Sequence, residues 1–201
     1  MSQNKRYFVT GIDTDAGKTL ASAILTQQLK ADYWKPIQAG EPTDSDQIRQ
    51  LIDSSLVVHP EGVMLQHPMS PHAAARRENV QITADQFTLP ETSNTLIIEG
   101  AGGLMVPFNA QGLVIDLAKQ FEAEVILVSR NYLGSINHTL LSVAYLQTHN
   151  YPIKGIIFNG DPNEDTESFI LQYTGLKCLG RIPMMDTITA DTVNKQKITN
   201  L

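Results

Sequence analysis

Nine residues, Gly11-Ile12-Asp13-Thr14-Asp15-Ala16-Gly17-Lys18-Thr19, carry the pattern G-x-x-x-x-x-G-K-T, a phosphate-loop pattern with one extra residue between its glycines. The spacing suits phosphate chemistry. Glycines let the loop curl so that successive backbone N–H groups converge on phosphate oxygens, and a following helix turns its positive end to the same anion. Lys18 would reach the β- and γ-phosphates, and the Thr19 hydroxyl would ligate Mg²⁺. The chain is therefore expected to bind a nucleoside triphosphate. A second candidate is Glu99, which follows the apolar run Thr95-Leu96-Ile97-Ile98 and precedes Gly100-Ala101-Gly102-Gly103. Ligands gather at the carboxyl ends of parallel strands, so a carboxylate there can hold Mg²⁺, although an acid at a strand end can also be merely solvated. The third is Gly134-Ser135-Ile136-Asn137, where a long helix should begin and its free N–H groups form another anion site. Ordinary capping by Ser135 is the plainer reading of the same residues.

Such groups need a scaffold, and the sequence alternates short apolar runs with longer segments of helical period. That is the pattern of a parallel sheet covered by helices. Strands are expected at Tyr7–Thr10, Tyr33–Lys35 (stopped by Pro36), Thr95–Ile98, Glu124–Val128, Ile153–Phe158 and, at an edge, Lys177–Gly180. Helices are expected at Lys18–Leu29, Val114–Phe121, Ser135–Thr148 and Glu164–Tyr173. The glycines from Gly100 to Gly103 read as a turn. Glu41 to Pro90 is interrupted by prolines and should form short helices over one end of the sheet, and the polar tail from Asp186 should be partly ordered at most. The expected fold is a single α/β domain spanning residues 1–201: a mostly parallel sheet with helices on both faces, like the phosphate-loop NTPases.

Composition narrows the partners. The 201 residues are 42% apolar and carry a net charge of −6 with both signs scattered, which argues against nucleic acid. Cys178 is the single cysteine, so no disulfide can form within the chain, and the five histidines show no metal-ligand spacing. No apolar stretch is long enough to span a bilayer, and no signal-peptide pattern precedes the first strand. A cytoplasmic protein without membrane attachment is expected.

A phosphate loop alone does not separate motor, switch, kinase and ligase. Four blocks together, however, resemble the dethiobiotin synthetases: Gly11 to Thr19, Lys35-Pro36-Ile37-Gln38-Ala39-Gly40, Glu99-Gly100-Ala101-Gly102-Gly103, and Leu133-Gly134-Ser135-Ile136-Asn137-His138. They stand in that family's order, and a weaker likeness runs from Asn159 to Ile182-Pro183. The resemblance implies an ATP- and Mg²⁺-dependent ligase of biotin biosynthesis. It would convert 7,8-diaminononanoate (7,8-diaminopelargonate), CO2 and ATP into dethiobiotin, ADP and phosphate, through a carbamate and a carbamic–phosphoric anhydride. A homodimer with active sites at the interface is implied as well.

Residue by residue, the resemblance makes Lys35 and Lys18 catalytic. ATP would lie on Asp15, Ala16, Gly17, Lys18, Thr19, Leu20, Asp46, Glu99, Gly100, Ala101 and Gly102. Asn159 and Gly160 would meet the purine, with Pro183, Met184 and Met185 as the loop beside it. Thr14, Ala39, Gly134, Ser135, Ile136 and Asn137 would receive the diamine substrate, the last four across the dimer interface. Mg²⁺ would be held by Thr19, Asp46 and Glu99, with Asp44 only two residues away as the alternative aspartate. Ala39 replaces a serine or threonine of many members, and Asp15 stands where some carry glutamate. Ser70-Pro71-His72 resembles a segment near the diamine, without singling out His72 as an acid or base.

Three other readings compete. An amidating synthase of cobalamin assembly would need a glutamine-hydrolysing domain for which the chain is too short. A partitioning-type ATPase switch would need a signature lysine where this chain has Asp13. A degenerate paralogue would bind ATP without closing the ring.

Overall fold

The computed structural model describes residues 5–201. Among them, six strands form one parallel sheet: β1 (Arg6–Gly11), β2 (Asp32–Trp34), β5 (Leu96–Gly103), β6 (Glu124–Arg130), β7 (Ile153–Asn159) and β8 (Cys178–Ile182), in the order β2-β5-β1-β6-β7-β8. A parallel pair, β3 (Ile37–Ala39) with β4 (Val63–Leu65), stands apart from it. The helices are α1 (Lys18–Leu29), α2 (Asp44–Leu51), α3 (Pro71–Glu78), α4 (Asp116–Gln120), α5 (Ser135–Thr148), α6 (Glu164–Thr174) and α7 (Ala190–Lys195). No described helix is long and apolar enough to cross a membrane.

The strand alternation divides the core. Tyr7, Val9, Tyr33 and Ile97 belong to one buried cluster with Ile24 of α1, Ile48 of α2 and Val193 of α7. Phe8, Trp34, Leu96 and Ile98 belong to the other, with Ala74 of α3, Leu117 of α4, Val143 of α5 and Ile170 of α6. Successive side chains of a strand point to opposite faces, so each strand contributes to both cores. This is the expected α/β architecture with both faces covered.

The structure redraws several expected boundaries. The glycines after Glu99 do not form a turn: β5 continues through Gly103, and Gly11 pairs with Gly103 beyond an irregularity in the register. Strand β2 ends at Trp34, leaving Lys35 just past it. Helix α4 begins at Asp116, whose Oδ2 accepts the Leu113 N–H and ties off the preceding turn. Strand β4, which pairs with β3 just upstream, lies in the stretch from Glu41 to Pro90 expected to hold short helices.

The tail is the largest correction. Val193 and Ile198 are buried, the Gln28 side chain both receives the Ile198 N–H and donates to its carbonyl, and Asn200 N donates to Leu179 O. A Cβ on Gly180 would lie 3.2 Å from the Ile198 backbone, so the tail is packed closely on β8. Its polar composition conceals a few apolar anchors. Ile198→Ala should destabilise the fold by about 2–4 kcal/mol, read as a lowered denaturant midpoint. A midpoint equal to that of the unaltered protein would show that the tail is not part of the cooperative unit.

Candidate active site

The phosphate-type loop joins β1 to α1. Gly17 caps α1 at φ 95°, and a Cβ on it would lie 2.2 Å from Asn159 Nδ2, so conformation and contact both demand glycine. The Asn159 amide donates to Ala16 O at 2.9 Å and ties the end of β7 to the loop. Lys18 is buried and donates to Asp13 O (3.1 Å) and Thr14 O (2.8 Å), which holds its ammonium across the loop.

Glu99 lies opposite. It has no exposed surface, and strand alternation turns it to the α1 face with Ile97. Its Oε1 is 2.9 Å from Thr19 Oγ1 and 3.2 Å from Lys35 Nζ, and its Oε2 accepts from Tyr33 Oη at 3.1 Å. Lys35 is equally enclosed. It donates to Gly100 O at 3.0 Å and reaches Asp44 Oδ2 at 2.5 Å. Asp44 Oδ1 is 3.2 Å from the Thr19 hydroxyl, whose single proton can serve Glu99 or Asp44 but not both at once.

These contacts set the charge states. Burial alone would lower the Lys35 ammonium, but Glu99 and Asp44 outweigh it and hold the group above its ordinary value. Burial alone would raise the Asp44 carboxyl, yet Lys35, with help from Thr19 and Lys18, holds it below. Among the described residues, Lys18 has no carboxylate within hydrogen-bonding reach. Burial pushes it down to about 8, despite the opposing pull of Glu99.

The groups open on a cleft of about 700 Å³. Of the residues expected at the site, Thr14, Asp15, Gly17, Lys18, Thr19, Leu20, Lys35, Ala39, Glu99, Ala101 and Gly102 line it. Ala16 lies beneath the loop, and Gly100 contributes its carbonyl. Asn159 and Gly160, at the end of β7, stand behind the loop, and Gly160 N donates to Ile182 O. Pro183 and Met184 are exposed beyond β8, whereas Met185 turns back to pack beside the α1-side core.

The two candidate metal aspartates are placed differently. Asp46 lies on the outer side of α2, 2.8 Å from Arg49, and it is Asp44 that joins Thr19, Lys35 and Glu99. Thr43 caps α2 by accepting the Asp46 N–H, and Gln38 Oε1 accepts the Asp44 N–H at 3.1 Å. Those two bonds fix which carboxylate faces the cleft. Gly134, Ser135, Ile136 and Asn137 do begin α5 but do not line this cleft, and Ser135 is buried with its hydroxyl turned inward. Residues the sequence reading missed are Tyr33, Gln38 and Gln47, which lines the cleft on α2. Tyr33 could have been found, because it precedes Lys35 by two in the expected strand Tyr33–Lys35, where alternation gives both one face.

The three oxygen donors Thr19, Asp44 and Glu99 have the hardness that Mg²⁺ prefers, and two carboxylates beside a phosphate loop leave positions for phosphate and water. The donor set therefore fits the ion. Since Lys18 titrates near 8, affinity for ATP should fall as pH rises through that value, because the free protein loses the ammonium that meets the phosphates. Calorimetric titration from pH 7 to 9.5 reads this directly. A flat profile would mean that Lys18 keeps its proton throughout.

A family model described as an AAA domain matches residues 5–192. The chain is 55% identical over 192 residues to the ATP-dependent dethiobiotin synthetase of Cytophaga hutchinsonii, covering 94% of this chain and 93% of that protein. The enzyme of the same name from Christiangramia forsetii is 49% identical over 181 residues, with 89% and 87% covered, and that from Paramagnetospirillum magneticum is 42% identical over 188, with 92% and 91% covered. Among solved structures, a ParA family ATPase from Chlorobium tepidum superposes with a TM-score of 0.52 at 15% identity, covering 95% of this chain and 96% of that one. A putative plasmid partition protein from Borrelia burgdorferi, bound to AMPPNP, gives 0.56 at 13%, with 96% and 90% covered. The last two likenesses concern fold alone. The sequence relationships extend over the whole site just described, and the chain belongs to the ATP-dependent dethiobiotin synthetase family.

Proposed function

We propose that the chain closes the ureido ring of dethiobiotin from 7,8-diaminononanoate, CO2 and ATP. The observation that carries the reading is the Lys35 ammonium, enclosed between Glu99 and Asp44 at the mouth of the phosphate loop. One substrate amine takes up CO2 as a carbamate and loses a proton. The carbamate oxygen then displaces ADP from the γ-phosphorus, and attack by the second amine on the carbonyl carbon expels phosphate. Lys35 stabilises negative charge on carbamate and γ-phosphoryl oxygens as it moves between them, and Lys18 with the loop N–H groups holds the phosphates. Thr19, Asp44 and Glu99 would hold Mg²⁺, which neutralises phosphate charge when bound. Asn159, Gly160 and the loop from Pro183 to Met185 would face the base.

The reading includes a homodimer. The α5 terminus suits a tail carboxylate, yet it does not line the cleft of its own chain, so a partner copy would have to supply it. Leu133 and Leu141 are exposed on and beside α5, where such a copy would sit. We place the enzyme in the cytoplasm, where Cys178 stays reduced. The partition ATPases of similar fold suggest a nucleotide switch instead, but Asp13 occupies the place of that class's signature lysine.

Phosphate release from Mg-ATP and bicarbonate, measured with and without the diamine, separates the readings. Diamine-dependent release with an equal yield of dethiobiotin is expected, and release indifferent to diamine would favour the switch. Lys35→Gln, which keeps donors beside Glu99 but loses the charge, should lower kcat roughly 10²–10³-fold and leave ATP affinity largely intact. Equal losses in both would make Lys35 a nucleotide-binding group.

A further inference from the structure

Tyr33 lies on β2 with its side chain wholly buried, opposite Ile97 in the parallel register with β5. Glu99 follows Ile97 by two, so Tyr33 and Glu99 share the α1 face of the sheet. Among the described residues, the two carboxylate oxygens are served differently. Oε1 meets Thr19 and Lys35, while Oε2 accepts from the Tyr33 hydroxyl. The ring belongs to the same buried cluster as Val9, Ala21, Ile48 and Ile97, where a phenylalanine would pack equally well. Packing therefore leaves the hydroxyl unexplained, and the hydrogen bond gives it a use.

We infer that Tyr33 is a positioning residue for the metal-binding carboxylate: by holding Oε2 in the core, it fixes the rotation of Glu99 and turns Oε1 to the Thr19 side. A carboxylate free to rotate about its last bond would present either oxygen, or both, and would lose part of its ion affinity to that freedom. Partners that orient a ligand from behind have this effect at metal sites generally. The inference rests on the reading of Glu99 as an Mg²⁺ ligand and deepens it.

The test uses Mn²⁺ as the probe, with the free ion counted by electron paramagnetic resonance during titration of the full chain and AMPPNP. Nucleotide affinity is measured separately in a chelator. Tyr33→Phe should weaken Mn²⁺ binding roughly tenfold and leave metal-free nucleotide affinity unchanged. In a Glu99→Gln background the same change should have no further effect, because the charged two-oxygen group it orients is gone. Tyr33→Met, which deletes the hydroxyl by another route, repeats the test if the phenylalanine variant does not fold. Wild-type Mn²⁺ affinity in Tyr33→Phe, beside a clear loss in Glu99→Gln, would overturn the inference alone. So would an undiminished tenfold loss in the double variant, which would show Tyr33 acting without the carboxylate. Wild-type affinity in Glu99→Gln would instead remove the reading of Glu99 as a ligand, and the inference with it.

Discussion

A carboxylate with no exposed surface must be compensated where it sits, because leaving it unpaired costs several kcal/mol. Glu99 is such a group, and its partners come from three parts of the chain: Thr19 from the start of α1, Tyr33 from β2, and Lys35 from just beyond β2. The strand order places β5 between β2 and β1, so the residue at that height on β5 has the ends of both neighbours within reach. The phosphate loop follows one neighbour and Lys35 follows the other. Moving Glu99 by one residue would turn it to the opposite face and break all three contacts. Much of the site's geometry follows from this one register.

A second carboxylate meets the same ammonium. Asp44 reaches Lys35 from α2, and its position depends on the first turn of that helix, where Thr43 and Gln38 take up backbone N–H groups. Gln38 comes from β3 and also donates to Gly40 O, so its bond to the Asp44 N–H ties the short sheet to the helix. Removing Lys35 would leave two carboxylates facing each other. The lysine is thus a structural requirement of the cleft, whatever its part in the proposed chemistry.

What the sequence disclosed follows from which forces are local. Helix α1 was legible to the residue from Lys18 to Leu29, because the loop glycine sets its start and apolar spacing its length. Helix α5 was legible from Ser135 to Thr148 for the same reasons. The continuation of β5 through Gly103 was not, since glycine carries turn and strand equally well and the pairing with Gly11 decides the matter. The aspartates were ambiguous because Asp44 and Asp46 are alike in type. The choice lies in where Thr43 begins the helix, and resemblance alone pointed to the residue that faces Arg49. The docked tail was hidden by its composition: Val193 and Ile198 are two apolar residues in a polar run, and nothing local reveals the groove that receives them.

The two lysines of the cleft show how one site can hold two cations for different tasks. Lys35 lies against Glu99 and Asp44, and their charge outweighs the burial that would neutralise it. It remains an ammonium throughout the neutral range, which suits stabilising charge and makes it a poor acceptor for the proton released when an amine becomes a carbamate. Among the described residues, Lys18 bonds through its amine only to backbone carbonyls, and burial pushes it down to about 8. An incoming polyphosphate would raise that value, so Lys18 gains its full charge from the ligand it holds. Differing environments push like groups apart in this way wherever a site divides its labour. The fold, shared at 13–15% identity with partition ATPases, supplies the loop that holds Lys18. The segment from Lys35 to Asp44 supplies the second cation and its counterion, and the ring-closing chemistry is legible there rather than in the loop.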